Sequence, residues 1–137
     1  MGTDASGYLQ IGQVAERTEL SLKSIRHWDE VGLVQPSARS AGGFRLYTEA
    51  DVDRMLVIRR MKPLGFTLAE MKQLLDAVDV LDDPSADPAA REAAQADLLA
   101  FRDKAADSAE RLRKHLAYAE EFTDLLTTRS SEPPGMI

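Results

Sequence analysis

The sequence predicts a mainly α fold, in which a winged helix-turn-helix domain with a small β-hairpin wing is followed by one long C-terminal helix. Two short helical patterns lie on either side of a polar turn at residues 18–21, and a stretch rich in Gly, Pro and Ser follows them. Residues 89–130 then contain neither Pro nor Gly, which is typical of a long uninterrupted helix.

The first helix is predicted from apolar side chains at helical spacing, namely Leu9, Ile11, Val14 and Ala15. After the polar turn, Ser21 is a suitable N-cap for a second helix. Gly32 is a suitable C′ residue after that helix. Two short helices this close together form a helix-turn-helix candidate.

A wing is predicted immediately after the second helix. Leu33–Val34 and residues 44–47 have the composition of strand ends, and Pro36 and Gly42–Gly43 lie between them. Apolar ends around turn residues favour a hairpin.

Two further helices are predicted from capping residues. Thr48 and Thr67 each stand three positions before an acidic residue, which is the pattern of a capping box. We expect the third helix to end near Lys62–Pro63 and the fourth to run to about Asp79. The motif DDPSADP then indicates a linker, because it holds two prolines within seven residues.

The last helix carries a heptad pattern with small and polar interruptions. A continuous helix of about 42 residues is about 63 Å long, whereas a compact chain of this length has a radius of gyration of about 14 Å. The helix is therefore expected to pair with the same helix of a second copy. A bent helix that folds back onto the N-terminal domain is the alternative. The predicted dimerisation residues are Leu98, Phe101, Ala105, Leu112, Ala119, Phe122 and Leu126.

These elements predict a simple domain organisation. Residues 8–80 form the winged helix-turn-helix domain with its second helix pair, 81–88 the linker, 89–130 the coiled-coil helix and 131–137 a flexible tail.

Composition excludes several kinds of site. The chain has no Cys, so disulfides, thiolate-bound zinc and iron–sulfur clusters are excluded. The N-terminal residues show no signal-peptide pattern, and no apolar stretch approaches the roughly 20 residues that cross a bilayer. We therefore expect a cytoplasmic protein without a membrane partner.

The net charge of −6 argues against a nucleic-acid partner, but the charge is unevenly distributed. Nine basic and six acidic residues lie between positions 17 and 62, and the acidic excess lies in the second half of the chain. Contact with phosphates depends on the local field, not on the total charge. A nucleic-acid partner for residues 17–62 therefore remains compatible with the composition.

The second helix has the features of a recognition helix. Leu22, Ile25 and Trp28 share one side, and Trp28 is expected in the core. The exposed N-terminal half would offer base or phosphate contacts from Lys23, Ser24, Arg26 and His27. The chain has no Asn, so the Asn–adenine contact is excluded.

Three motifs in unbroken order resemble the MerR family of bacterial transcription regulators. They are IGQVAERTELSLKSIRHWDEVGLVQP, RSAGGFRLYTEADVDRM and RRMKPLGFTLAEMKQLL, and together they span residues 11–75. The resemblance implies a winged helix-turn-helix domain, a second helix pair and a long helix that forms an antiparallel coiled coil with a second subunit.

The resemblance also implies particular DNA contacts. Lys23 and Arg26 match contacts of the family's recognition helix. His27 and Trp28 stand where the family usually has an aromatic pair. Lys62 matches a phosphate contact after the third helix, with Arg59 one turn earlier. Phe44 replaces a tyrosine, so a hydroxyl contact to phosphate is lost there, and Pro63 is unusual for the family. The residues that match the wing segment are Arg39, Gly43, Phe44 and Arg45.

What the resemblance implies about function is a homodimer that binds a palindromic promoter site and distorts the double-stranded DNA to control RNA polymerase. No enzymatic activity, cofactor or metal is expected. A small-molecule effector, if there is one, is expected to bind near residues 71–80, and activation and repression both stay open. The alternative function is a MerR-like protein-interaction module that modulates a co-chaperone and does not bind DNA. A recombination factor with the same contacts is a third hypothesis.

Overall fold

The computed structural model describes residues 7–133, and it confirms the predicted mainly α fold with a small wing and a long last helix. The predicted flexible tail lies partly outside the described residues. In chain order the elements are β1 (Leu9–Gln10), α1 (Ile11–Thr18), α2 (Leu22–Glu30), β2 (Ala38–Arg39), β3 (Arg45–Tyr47), α3 (Glu49–Met61), a 3-10 turn (Lys62–Leu64), α4 (Leu68–Asp82) and α5 (Pro88–Ser130).

The apolar spacing predicts that Leu9 belongs to the first helix, but α1 begins later, at Ile11. Leu9 lies in β1, which pairs antiparallel with β3, so that Leu9 stands opposite Tyr47. The backbone of Gln10 is extended, and its N–H donates to Oε1 of Gln13 at 2.8 Å, so α1 begins directly after the strand. A strand of two residues is too short to show an alternating pattern. Leu9 therefore also fitted the helical spacing of the residues that follow it.

The first strand of the wing was also misplaced. Leu33 and Val34 are not in a strand; both of their N–H groups donate to the carbonyl of Trp28, at 2.8 and 3.2 Å. Gly32 provides the left-handed residue that this helix ending requires, with φ at +74°. The two apolar side chains are buried because they close the end of α2, and not because they belong to a sheet.

The true hairpin consists of β2 and β3, and we call residues 38–47 the wing. Arg39 stands opposite Arg45 in its register. The strand order is β1-β3-β2, so β3 is paired on both sides. The wing is therefore one part of a three-stranded antiparallel sheet.

The predicted capping boxes are present in the structure. The Thr48 side chain accepts from the N–H of Asp51, and the Thr67 side chain accepts from that of Glu70. Helix α4 continues to Asp82, beyond its predicted end, so residues 83–87 connect it to α5. The chain divides into two compact units between Leu98 and Leu99, which is inside α5. The domain limits stated above stay predictions.

The core of the N-terminal unit is formed by one side of each helix together with β3. Trp28 is 6% exposed, which confirms its predicted place in the core. Fully burying an apolar side chain of this kind contributes about 1.5–3 kcal/mol. The largest fully buried side chains are Tyr47, Ile25, Met55, Ile58, Leu75, Val14, Val34, Val52 and Thr18.

The C-terminal unit consists of the remainder of α5. Every residue from 111 to 133 is exposed. Of the predicted dimerisation residues, Leu98, Phe101 and Ala105 are partly buried. The others are exposed, and they are Leu112, Ala119, Phe122 and Leu126. Within residues 7–133, none of the helices combines the length and the apolar content that a membrane span requires.

Tyr47 provides a test of this core. Its hydroxyl is buried and has no hydrogen-bond partner among the described residues, and burial raises the pKa of Tyr47 from 10.0 to about 12. The unfolded chain ionises at this tyrosine above pH 10, whereas the folded chain does not until about pH 12. Its contribution to stability is therefore complete below pH 10 and is lost as pH rises toward 12.

We expect Tyr47→Phe to leave the free energy of unfolding at pH 7 unchanged or to raise it by about 1 kcal/mol, because an unpaired buried hydroxyl is removed. Between pH 9 and pH 11 the wild type should lose about 1.4 kcal/mol more than the variant. Urea unfolding at both pH values measures this difference. Tyr118→Phe, at a side chain 63% exposed, is the control and should behave like the wild type. A loss above about 1 kcal/mol at pH 7 for Tyr47→Phe would contradict the assignment.

Candidate nucleic-acid interface

Helix α2 presents a cationic surface on the side opposite the core. Lys23, Arg26 and His27 are exposed, and none of their side chains forms a hydrogen bond or ion pair with another of residues 7–133. Ser24 is only partly exposed, and its N–H and hydroxyl both lie 3.0 Å from the hydroxyl of Ser21, which caps the helix. The three exposed side chains are therefore free to contact a ligand, whereas Ser24 already belongs to the cap.

The wing is attached to α2 by one carboxylate, Asp29. Its Oδ2 accepts a hydrogen bond from Nε of Arg45 at 2.7 Å and another from Nη2 of Arg39 at 3.2 Å. The Asp29 side chain is only 10% exposed. The Arg45 guanidinium responds to this contact, since the hydrogen bond raises its pKa. We call these three residues the Asp29 clamp.

The Asp29 clamp changes what can be expected of its two arginines. Arg45 is 23% exposed, and only its Nε bonds within the described residues, so both Nη groups can still donate to a phosphate. Arg39 is 50% exposed, but both of its Nη atoms have partners, the second being the carbonyl of Gly43 at 3.2 Å. Arg39 therefore has less donor capacity for a ligand than its sequence position indicates.

A cleft of about 310 Å³ lies between α2 and the wing. Arg26 lines it from α2, and Gly43, Phe44 and Arg45 line it from the wing. Gln10 at the end of β1 and Ile11 and Gly12 at the start of α1 line it as well. The structure thus brings together four of the predicted contact residues, which come from separate elements of the sequence.

The two predicted contacts at the end of α3 differ from each other. Lys62 is exposed, and its side chain forms no hydrogen bond or ion pair among residues 7–133. Arg59 donates to the carbonyl of Thr18 at 2.7 Å and lies 3.7 Å from the carboxylate of Glu19. Arg59 therefore stabilises the end of α1, and neither residue lines the cleft. Their roles in DNA binding stay predictions.

Sequence reasoning missed two sets of ion pairs in this part of the fold, three pairs in all. One is the Asp29 clamp, whose signal was a carboxylate beside Trp28 on the buried side of α2. The other joins Arg17 to both carboxylate oxygens of Glu49, at 2.5 and 2.7 Å. The second pair lowers the pKa of Glu49 and attaches α1 to the start of α3.

Among the described side chains, no group of three or more His, Asp or Glu is placed to hold a metal ion.

Comparison with known proteins places this chain among helix-turn-helix regulators. The family model described as MerR HTH family regulatory protein matches residues 9–78, and the model described as MerR, DNA binding matches residues 52–119. The transcriptional activator TipA of Streptomyces coelicolor is 41% identical over 92 residues, which is 67% of this chain. This chain spans only 34% of TipA, about a third of its length. The transcriptional regulator HmrR of Rhizobium leguminosarum bv. viciae is 34% identical over 81% of this chain and 85% of HmrR.

Solved structures show the same fold. A MerR family regulator from Bacillus thuringiensis superposes with a TM-score of 0.68 at 21% identity, covering 88% of this chain and 98% of that protein. HiNmlR, a MerR family regulator lacking the sensor domain and bound to promoter DNA, gives a TM-score of 0.59 at 18% identity over 90% of this chain and 88% of HiNmlR. At these identities the likeness is one of fold.

The Asp29 clamp predicts that Asp29→Asn destabilises the N-terminal unit and weakens DNA binding. The change removes both ion pairs, and we expect the free energy of unfolding to fall by about 1–2 kcal/mol, since the arginines are partly solvated. Urea unfolding and fluorescence anisotropy with a DNA duplex measure the two effects.

Glu30→Gln is the matched control for Asp29→Asn. It removes the same charge from the next residue, whose exposed side chain forms no hydrogen bond or ion pair among the described residues and acts on Arg45 only through its charge. We expect a stability change within about 0.5 kcal/mol for this control. Equal losses for the two variants would show that the clamp contributes nothing beyond charge.

Proposed function

The chain belongs to the MerR family of HTH regulatory proteins, and from this membership we propose that it is a DNA-binding transcription regulator that acts as a homodimer on a palindromic promoter site. The observation that supports this most directly is the exposed surface of α2. The side chains of its cations Lys23 and Arg26 form no bond among residues 7–133, and Arg26 shares a cleft with the wing that the Asp29 clamp holds in place. TipA and HmrR are named as transcription regulators, and HiNmlR was solved with promoter DNA.

Local charge decides whether this acidic chain binds a polyanion. The recognition helix would enter the major groove, where Lys23 and Arg26 bond to guanine edges or to phosphates. The Nη groups of Arg45 and the ammonium of Lys62 would add phosphate contacts on either side. The acidic residues lie mostly after position 66. Net repulsion from them is reduced by screening beyond about 8 Å at physiological salt.

The proposed homodimer is supported by the C-terminal unit. Its exposed apolar side chains repeat at heptad spacing, and Leu112, Phe122 and Leu126 are 45%, 62% and 49% exposed. A helical surface of this kind is covered when the same helix of a second copy packs against it. A two-fold dimer also presents two recognition helices, and this symmetry matches that of a palindrome.

We further propose that the dimer distorts its DNA. Wings and recognition helices of two subunits would pull the flanks of the site toward the protein, and the cost of bending, of order 1–10 kcal/mol, would be offset by added phosphate contacts. Such bending would bring two promoter elements into register for RNA polymerase. The regulator itself needs no catalytic step for this action.

Footprinting on the DNA that flanks the protein's own gene tests the proposal. We expect protection of a palindrome, with enhanced cleavage at its centre where the duplex is distorted. No protection at low salt would reject DNA binding and would favour the protein-interaction module, for which the net charge of −6 is the supporting observation.

Arg26→Ala and Lys62→Ala should weaken DNA binding in different ways. Loss of Lys62 is expected to reduce affinity equally for cognate and random duplexes and to lower the salt slope by about one unit. Loss of Arg26 should cost about 1–3 kcal/mol on the cognate site and relax its sequence preference. Anisotropy titrations at several salt concentrations separate the two. Equal losses of Arg26→Ala on cognate and random DNA would contradict base reading.

Phe122→Asp should dissociate the homodimer, because a carboxylate would have to be buried in an apolar interface. Sedimentation velocity is expected to show a monomer, and affinity for the palindrome should fall at least about tenfold. Ala106→Asp adds the same charge at an exposed position outside the heptad series and is the control. A Phe122→Asp variant that stays dimeric would place the interface elsewhere.

A further inference from the structure

The tip of the wing, residues 40–44, is a tightly closed turn. The N–H of Ser40 donates to the carbonyl of Phe44 at 2.9 Å, and the N–H of Gly43 donates to the carbonyl of Ser40 at 2.9 Å. The N–H of Phe44 donates to Oγ of Ser40 at 3.1 Å. Gly43 has φ at +84°, as in a hairpin loop of three residues whose last member is left-handed. These bonds fix the backbone of the turn that carries the Phe44 side chain.

Gly42 lies directly under the ring of Phe44. A Cβ at position 42 would stand 3.1 Å from Cε2 and 3.3 Å from Cδ2 of that ring, which is closer than ordinary van der Waals contact. The φ of Gly42 is not in the left-handed region, so its backbone conformation does not itself require glycine. A side chain at position 42 would therefore displace the ring of Phe44 by a few tenths of an ångström or more.

The ring that rests on Gly42 is both exposed and placed at the cleft. Phe44 is 72% exposed, and it lines the cleft that also holds Arg26 and Arg45. An exposed phenyl ring normally samples several rotamers and loses that freedom when it binds. Contact with the glycine surface restricts the ring before any ligand arrives.

We propose that Gly42 is a positioning residue for DNA binding, which holds the Phe44 ring in the orientation that packs against a deoxyribose of the backbone. The inference rests on the proposed function of the wing. It concerns apolar contact alone, since the phenyl ring of Phe44 carries no hydroxyl to bond a phosphate. Gly42 itself needs no contact with DNA.

A double-mutant cycle tests this inference in the full-length protein. We expect Gly42→Ala and Gly42→Val to weaken binding to a duplex by about twofold to tenfold, with Val the weaker binder. In a Phe44→Ala background the same changes at position 42 should have no further effect. Ala41→Ser, in the same turn, is the control and should leave affinity unchanged. Equal losses in both backgrounds, or no loss in the first, would overturn the inference.

NMR of the protein without DNA provides a readout that a merely structural role would not move. The ring protons of Phe44 should show contacts to the Hα protons of Gly42, and Gly42→Val should shift the ring signals while the melting temperature stays unchanged. Ring signals unaffected by Gly42→Val would overturn the inference whatever the DNA result. If the wild type binds no duplex while the ring contacts are present, the proposed function fails and the positioning of the ring stands.

Discussion

One buried carboxylate fixes the wing to α2. Asp29 projects from the end of the recognition helix and bonds both arginines of the wing. A carboxylate this buried is costly unless it is paired, so the wing and α2 stabilise each other. The orientation of the two elements that would touch DNA therefore depends on an interaction in which DNA takes no part. The same bonds decide which arginine donors remain available.

The cations of this surface form two groups. Lys23, Arg26 and Lys62 have no partner among residues 7–133, whereas Arg39, Arg45 and Arg59 each bond to another part of the fold. Moving Arg39 to a phosphate would break a bond that already exists, so its net contribution to affinity is smaller, whereas Arg45 can donate from both Nη groups and keep its bond to Asp29. We therefore expect the side chains without partners to contribute most of the binding energy. The paired side chains are expected to hold the elements of the surface in position.

Sequence reasoning could reach everything that depends on local patterns. The caps at Ser21, Thr48 and Thr67, the left-handed Gly32 and the long α5 follow from neighbouring residues, and the structure confirms them. It failed at Leu9 and at Leu33–Val34, where apolar side chains are buried by tertiary contacts that no periodicity records. The Asp29 clamp was out of reach for the same reason, because its members lie 10 and 16 positions apart. Arg26 was named from its place on the second helix and the wing residues of the cleft from the family resemblance, and only the fold could join them to α1.

The position of β3 in the centre of its sheet has a consequence for how force is transmitted. The strand pairs with β1 on one side and β2 on the other, and β1 continues into α1 without a loop. Displacing the hairpin would therefore drag the first helix with it. A protein surface whose strands and helix are joined in this way deforms less than a DNA duplex when the two bind. In a complex the duplex would therefore be the partner that deforms, and the N-terminal unit would keep its shape and set the curvature of the DNA.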